Sequence, residues 1–404
     1  MAAHCFDATT FVGPCNHKAR GQHHNPPAPG RSHYLKIKRK QVCNKFFIGM
    51  KRIHTILIIL LLAVTYGEAK KSSDDRQMDD FITSLMKKMT LEEKIGQLNL
   101  GGVGSPKVVG SAIGLDEAIR KGLVSSVGGF DAKAAEDAQK FAVENSRMKI
   151  PLITGLDVVH GYYTIFPIPL ASACSWNMPL LEESARVAAD EASAFGINWT
   201  FAPMVDICRD PRWGRIAEGA GEDPCLGSRI GRAMVRGFQG DDLSKPNTLL
   251  ACVKHFALYG ASEAGRDYNT VSMDPVTMYN YYLPPYKAAF DEGAGSGMTS
   301  FNVVNGVPAT GNKWLLTDLL RDQWKFKGFM VSDANSLAEM SEHGMGGAQR
   351  ITELAMNAGL DMDMSSSLYV LCLKKAVEEK RVPPQPDRCR LPQSARSQIQ
   401  IRTV

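Results

Sequence analysis

The stretch GFMVSDANS, residues 328–336, runs apolar through Phe329, Met330 and Val331 and then stops at a small polar residue and a bare carboxylate, Asp333. Three consecutive apolar residues without alternation fit a strand buried on both faces. Such a strand ends where its backbone meets solvent, so the first polar side chains beyond it stand at the mouth of whatever the sheet encloses. Seven further apolar runs of this kind occur, at 98–100, 123–127, 151–156, 197–205, 249–256, 297–303 and 360–364. Between them lie segments with small and apolar residues at helical spacing, among them LEESARVAADEASAF (181–195), YNYYLPPYKAAFDEG (279–293) and NKWLLTDLLRDQW (312–324). Ahead of the first run, Thr90 and Glu93 form a capping box, which predicts a helix starting at Leu91. Eight β units spread over roughly 270 residues predict an α/β fold of the TIM-type (β/α)8 barrel class. A doubly wound open sheet is the competing arrangement, but no GxGxxG follows the first strand to mark a dinucleotide site.

The ends of the chain read differently from its body. Residues 1–71 carry twelve Lys and Arg against two acids, Asp7 and Glu68, whereas the whole chain is only +5. The remainder is therefore net negative by about five, without the broad basic field that recruits nucleic acid. The positive end has its own explanation in residues 50–71, MKRIHTILIILLLAVTYGEAKK. Lys51 and Arg52 form a charged start, 56–64 an apolar core, and Gly67 and Ala69 bracket a cleavage point. Residues 50–69 are thus expected to be a secretory signal peptide, too short in its apolar core to remain as a membrane span after cleavage. That makes Met50 the expected start of translation and 1–49 a non-native or disordered extension. Residues 383–404, rich in Arg and Pro with no apolar period, read as a disordered tail. The protein is accordingly expected to be secreted or carried to the lysosome, and its oligomeric state is left open.

Nine cysteines are too few for a disulfide scaffold in 404 residues, and no CxxC or His-Cys cluster marks a metal; no cofactor is expected. One N-glycosylation sequon is present, Asn198-Trp199-Thr200, but it lies inside a strand-like apolar run, which argues against its use.

In a barrel the working residues sit at the C-terminal ends of strands and in the loops beyond them. Those positions hold Asp157 after LITGL, Asp206 after FAPMV, Lys254 and His255 after LLACV, Asn302 after MTSF, and Asp333. An aspartate at a strand end is often only a helix N-cap, and a lone loop lysine is usually solvated. Five such places on one rim are harder to dismiss. Between the fourth and fifth runs, RDPRWGRIAEGAGEDP (209–224) sets Arg residues around Trp213, offering a hydrogen-bond fork and a flat apolar face. A pyranose ring of hydroxyls, each donor and acceptor, needs such a set. On this reading Asp157 accepts from hydroxyls, Arg215, Lys254 and His255 donate, and the same cations hold Asp333 ionised as a nucleophile by lowering its pKa. A carbohydrate is the expected partner. Two other classes fit the same residues: a catalytically inactive sugar-binding barrel, and a Schiff-base lyase using Lys254.

Several longer motifs carry a resemblance: MTLEEKIGQL (89–98), GLDVVHG (155–161), FAPMVDICRDPRWGR (201–215), VKHFALYG (253–260) and NGVPATGNKWLLTDLLRDQWKFKGFMVSDA (305–334). Over about 79–381 the chain resembles the N-terminal barrel of glycoside hydrolase family 3, the β-glucosidases. The resemblance implies a retaining hydrolase of terminal β-D-glucosyl residues, with Asp333 as nucleophile and Asp157, Arg215, Lys254 and His255 holding the sugar. Two positions depart from it: Ala334 stands where many members have Trp, and Phe301 where others have Tyr. Retention also needs a second carboxyl roughly 5 Å from the first. In most of the family it is a Glu of a following sandwich domain, so a truncated, barrel-only member with weak activity is expected. The loop ALYGASEAGRDYN (257–269) lacks the His of another branch and offers only Glu263 or Asp267 as substitutes.

Overall fold

The computed structural model describes residues 73–102, 114–128 and 132–382. The segments 1–49, 50–69 and 383–404 discussed above lie outside them. Eight parallel strands form one sheet: β1 (Asn99–Gly102), β2 (Ser126–Gly128), β3 (Ile153–Leu156), β4 (Trp199–Thr200), β5 (Leu250–Phe256), β6 (Ser296–Thr299), β7 (Phe329–Val331) and β8 (Asp363–Met364). Their order is β8-β1-β2-β3-β4-β5-β6-β7. A parallel bridge from Val331 at the end of β7 to Met362, just before β8, closes the two ends of this order, and Ser332 N–H donates to the Met362 carbonyl across the same seam. The sheet is a (β/α)8 barrel, as predicted, and every predicted run holds one of its strands.

The barrel interior is filled by alternate strand residues. Leu100, Trp199, Phe201, Leu250, Cys252, Met298, Phe329, Val331, Met362 and Met364 make a single buried cluster. Trp199 is its centre, edge-on to Phe201 and Phe329, with its indole N–H donated to Ser296 Oγ at 2.8 Å. A buried tryptophan needs such a partner, and truncating it would cost about 3–5 kcal/mol. Gly155 makes room for this cluster, since a Cβ there would lie 2.6 Å from the Phe201 ring. Asn198, next to Trp199, is itself buried and accepts the Thr154 N–H through Oδ1, so the sequon is a piece of sheet.

A second, larger core lies between the strands and the surrounding helices. Helices Met178–Ala194 and Pro224–Gln239 approach closely through Gly237, where a Cβ would sit 2.4 Å from the Glu182 carbonyl. The capping box is present as predicted: Glu93 N–H donates to Thr90 Oγ1 and Thr90 N–H to Glu93 Oε2. The segment 312–324 is helical, but its turns are wide. The Trp324 N–H closes onto the Leu319 carbonyl, five residues back. Among the described residues no disulfide forms; Cys174, Cys208, Cys225, Cys252 and Cys372 are free thiols. No helix among them is long and apolar enough to cross a membrane.

Candidate active site

The predicted residues converge at the C-terminal mouth of the barrel. Asp157 follows β3 directly, Lys254 and His255 lie near the C-terminal end of β5, Arg215 lies on the short helix Gly214–Glu218 in the β4–β5 connection, and Asp333 stands two residues beyond β7. Lys254 is buried and donates to the exposed carboxylate of Asp157 at 2.5 Å. Arg215 grips Glu218 with two parallel bonds, Nε to Oε1 at 2.6 Å and Nη2 to Oε2 at 2.9 Å. Burial pulls the Glu218 carboxyl up, but this fork outweighs it and the group ends below the ordinary range.

His255 is the hinge of the arrangement. Its Nδ1 lies 2.8 Å from Asp206 Oδ2, and its Nε2 lies 3.0 Å from Arg215 Nη2. A guanidinium can only donate, so in the neutral ring Nε2 accepts from Arg215 and Nδ1 donates to Asp206. Asp206 is fully buried and takes three donors, His255 N–H at 2.9 Å, His255 Nδ1 and the Tyr286 hydroxyl. The same Tyr286 hydroxyl lies 2.8 Å from the His255 carbonyl, locking the ring from behind. Tyr286 belongs to the outer helix Pro284–Asp291, so the orientation of His255 is set partly outside the sheet.

Asp333 is only 9% exposed. Its Oδ1 accepts the Ala334 N–H at 2.7 Å, while Oδ2 is buried with no hydrogen-bond partner and lies 3.6 Å from His255 Nε2. Burial pushes this carboxyl above the usual range, against the opposing pulls of His255, the Ala334 N–H, Lys254 and Arg215. The expectation that neighbouring cations lower it is therefore overturned. Lys254 and Arg215 each have a closer carboxylate, Asp157 and Glu218, to satisfy first. What remains is a desolvated oxygen without a donor, the condition of a carboxylate that gains by reacting or by being covered with one.

Trp213 also departs from expectation. It is completely buried, donates its indole N–H to Asp267 Oδ1 at 2.8 Å and packs edge-on to Tyr259, so it offers no face to a ligand. That bond occupies Asp267, while Glu263 is exposed on the same loop. Asn302 is buried behind the rim, its amide 3.4 Å from the Ala257 carbonyl. Glu218, Tyr286 and Tyr259 were not singled out in sequence. For Glu218 a signal existed: it follows Arg215 by three residues, the spacing that brings side chains together on a helical turn.

With this geometry in view, the relatives are informative. The model of the glycosyl hydrolase family 3 N-terminal domain matches residues 90–388. The chain belongs to this family. It is 43% identical over 310 residues to a periplasmic beta-glucosidase of Salmonella typhimurium, covering 75% of this chain and 40% of the relative. A lysosomal beta glucosidase of Dictyostelium discoideum is 32% identical over 322 residues, 71% of this chain and 39% of its own length. Among solved structures, the Listeria innocua beta-glucosidase in complex with glucose superimposes with a TM-score of 0.73 at 38% identity, over 80% of this chain and 46% of that one. Its complex with isofagomine gives 0.72 at 39%, over 80% and 45%. The chain thus spans less than half the length of each of these relatives.

Proposed function

We propose that the barrel is the catalytic domain of a retaining β-glucosidase, with Asp333 as nucleophile. The observation that carries the reading is the unpartnered Oδ2 of Asp333, buried just beyond β7 and 3.6 Å from His255 Nε2, on the rim that also holds the Lys254–Asp157 and Arg215–Glu218 pairs. A bound glucosyl unit places C1 against that oxygen and its hydroxyls against the two pairs, where carboxylates accept and cations donate. Attack forms an Asp333–C1 ester as the aglycone leaves with the bonding electrons; water then cleaves the ester, and two inversions give net retention. The relatives named as beta-glucosidases support glucose as the sugar.

The second carboxyl is assigned to no residue predicted for it on the rim, because Trp213 engages Asp267 and Glu263 is exposed. Substrates whose leaving groups need no proton are therefore the ones this chain turns over best, and activity on a nitrophenyl glucoside exceeds that on cellobiose. Secretion through the 50–69 signal is part of the same proposal and is supported by the periplasmic and lysosomal relatives. The decisive experiment treats the chain with 2-deoxy-2-fluoro-β-D-glucosyl fluoride and maps the added mass by peptide sequencing. Label on Asp333 is expected. Glucose binding with no label at Asp333 overturns the hydrolase reading in favour of an inactive sugar-binding barrel.

A further inference from the structure

Asp333 sits in a turn that closes on itself, the Ser336 N–H donating to the Asp333 carbonyl at 3.0 Å. On the β8 side the turn is tied twice. Ser332 Oγ accepts the Met364 N–H at 2.9 Å, and the Asn335 N–H donates to the Met364 carbonyl at 3.0 Å. On the other side the ladder between β6 and β7 ends at the Met298–Val331 pair, before Asp333 is reached. Beyond that pair a row of hydroxyls takes over. Thr299 Oγ1, at the end of β6, lies 2.9 Å from Thr310 Oγ1, which lies 2.9 Å from Ser336 Oγ. All three residues are buried. A hydroxyl has one donor and two acceptor lone pairs, so the middle one serves both neighbours at once. Thr310 thereby links β6 to the residue whose N–H holds the Asp333 backbone.

Thr310 is itself held in place. It lies in the turn Ala309–Gly311, which follows the hairpin formed by Val303–Val304 and Val307–Pro308. The hairpin is joined to the connection after β5: the Val271 N–H donates to the Val303 carbonyl and the Asn305 N–H to the Val271 carbonyl. The Asn305 side-chain amide adds two bonds to the Met273 backbone, at 2.9 and 3.0 Å. On its other flank the turn presses on Met340, just past the helix Ser336–Glu339, where a Cβ at Gly311 would lie 2.4 Å from the Met340 Cε. The Thr310 hydroxyl is therefore presented to Ser336 from a backbone fixed on both flanks.

We propose that Thr310 is a positioning residue for the reaction: through Ser336 its hydroxyl fixes the turn that aims the Asp333 carboxylate. The proposal rests on the hydrolase reading above and adds to it a residue buried behind the rim. Without that hydroxyl the turn keeps its Ser332 and Asn335 bonds to β8 and loses its anchor on β6. A small misplacement of an attacking atom slows bond formation steeply while leaving the binding of the ground state nearly unchanged.

The fluoride reagent used to label Asp333 separates these two effects. Asp333 bonds to C1 as fluoride leaves with the bonding pair, and the dependence of inactivation on reagent concentration gives a limiting rate, kinact, and a half-saturation, KI. In Thr310→Val, which keeps the shape and removes the hydroxyl, kinact is expected to fall roughly tenfold with KI within about threefold of the parent. Thr310→Ser keeps the hydroxyl and is expected to hold kinact within about threefold of the parent. Ser336→Ala breaks the same link from its other end and is expected to match Thr310→Val. The double variant is expected to be no slower than either single one, because the link is broken only once. Parent-like kinact in Thr310→Val and Ser336→Ala overturns the positioning role and leaves the hydrolase intact. Losses that multiply in the double variant, or that fall on KI as heavily as on kinact, overturn it too, since they report general loosening. If urea denaturation shows Thr310→Val unfolded, kinact in Ser336→Ala decides by the same criterion. A parent chain that takes no label overturns the hydrolase, and the positioning role with it.

Discussion

Replacing Asp333 should make this protein more stable. Asp333 keeps one oxygen on the Ala334 N–H and leaves the other buried without a partner. A buried acceptor in that state costs about 1–3 kcal/mol. Asn fills the same volume and can keep the bond to Ala334; the NH2 it puts in place of Oδ2 also lacks a near partner, so the gain comes from removing the buried charge. Asp333→Asn is therefore expected to gain about 1–2 kcal/mol near pH 7, equivalent to a Tm rise of roughly 1.5–3 °C for a barrel of this size. The dependence on pH has a definite sign. Burial raises the carboxyl above its unfolded value, which is near 3.9. Below that value both states hold the proton and the penalty is absent. As pH rises from there through the folded pKa, the unfolded chain ionises first, so the parent loses stability relative to the variant, and the difference then levels off. Urea denaturation of both proteins from pH 4.5 to 7.5 measures this directly. An Asn variant less stable than the parent at pH 7, or a gap that narrows as pH rises, refutes the argument that Asp333 is held desolvated against its preference.

The same burial sets the acid limb of the pH profile: kcat/KM on an aryl glucoside should rise with a pKa above the ordinary aspartate range, and a limb below about 4 excludes Asp333 as the group that must ionise. Asp206→Ala strips the partner from His255 Nδ1, His255 N–H and the Tyr286 hydroxyl. A loss of about 3–5 kcal/mol in urea denaturation is expected, together with slower labelling of Asp333. Gly260→Ala places a Cβ 2.3 Å from the Ile207 carbonyl oxygen; a destabilisation of about 1–3 kcal/mol should appear as a lowered Tm, and an unchanged Tm would mean that the loop relaxes freely.

All eight strands were legible in sequence because a strand buried on both faces leaves a continuous apolar run, and parallel barrels are built of such strands. The boundaries were less so. The run at 197–205 contributes a regular ladder only at Trp199–Thr200, since Pro203 has no N–H to donate and the chain beyond Thr200 meets β5 through single bonds such as Val205 N–H to the Lys254 carbonyl. The rim residues were legible as types and places: Asp157, Lys254, His255, Arg215 and Asp333 all face one mouth. Their partnerships were not. Which carboxylate each cation takes depends on distances across the barrel, so the pairing of Lys254 with Asp157 and of Arg215 with Glu218, and the isolation of Asp333 that results, emerge only in three dimensions. Trp213 shows the same limit, because a sequence names an indole without saying which way it faces.

The hydroxyl of Tyr286 reaches from an outer helix through the wall of the barrel to the base of His255. The chemistry at the mouth is therefore anchored to the molecule's periphery. Remodelling the helix 284–291 to change solubility or assembly shifts that anchor, and with it the imidazole that borders Asp333. Changes made far from any sugar would then register first as altered turnover, before any loss of folding is measurable.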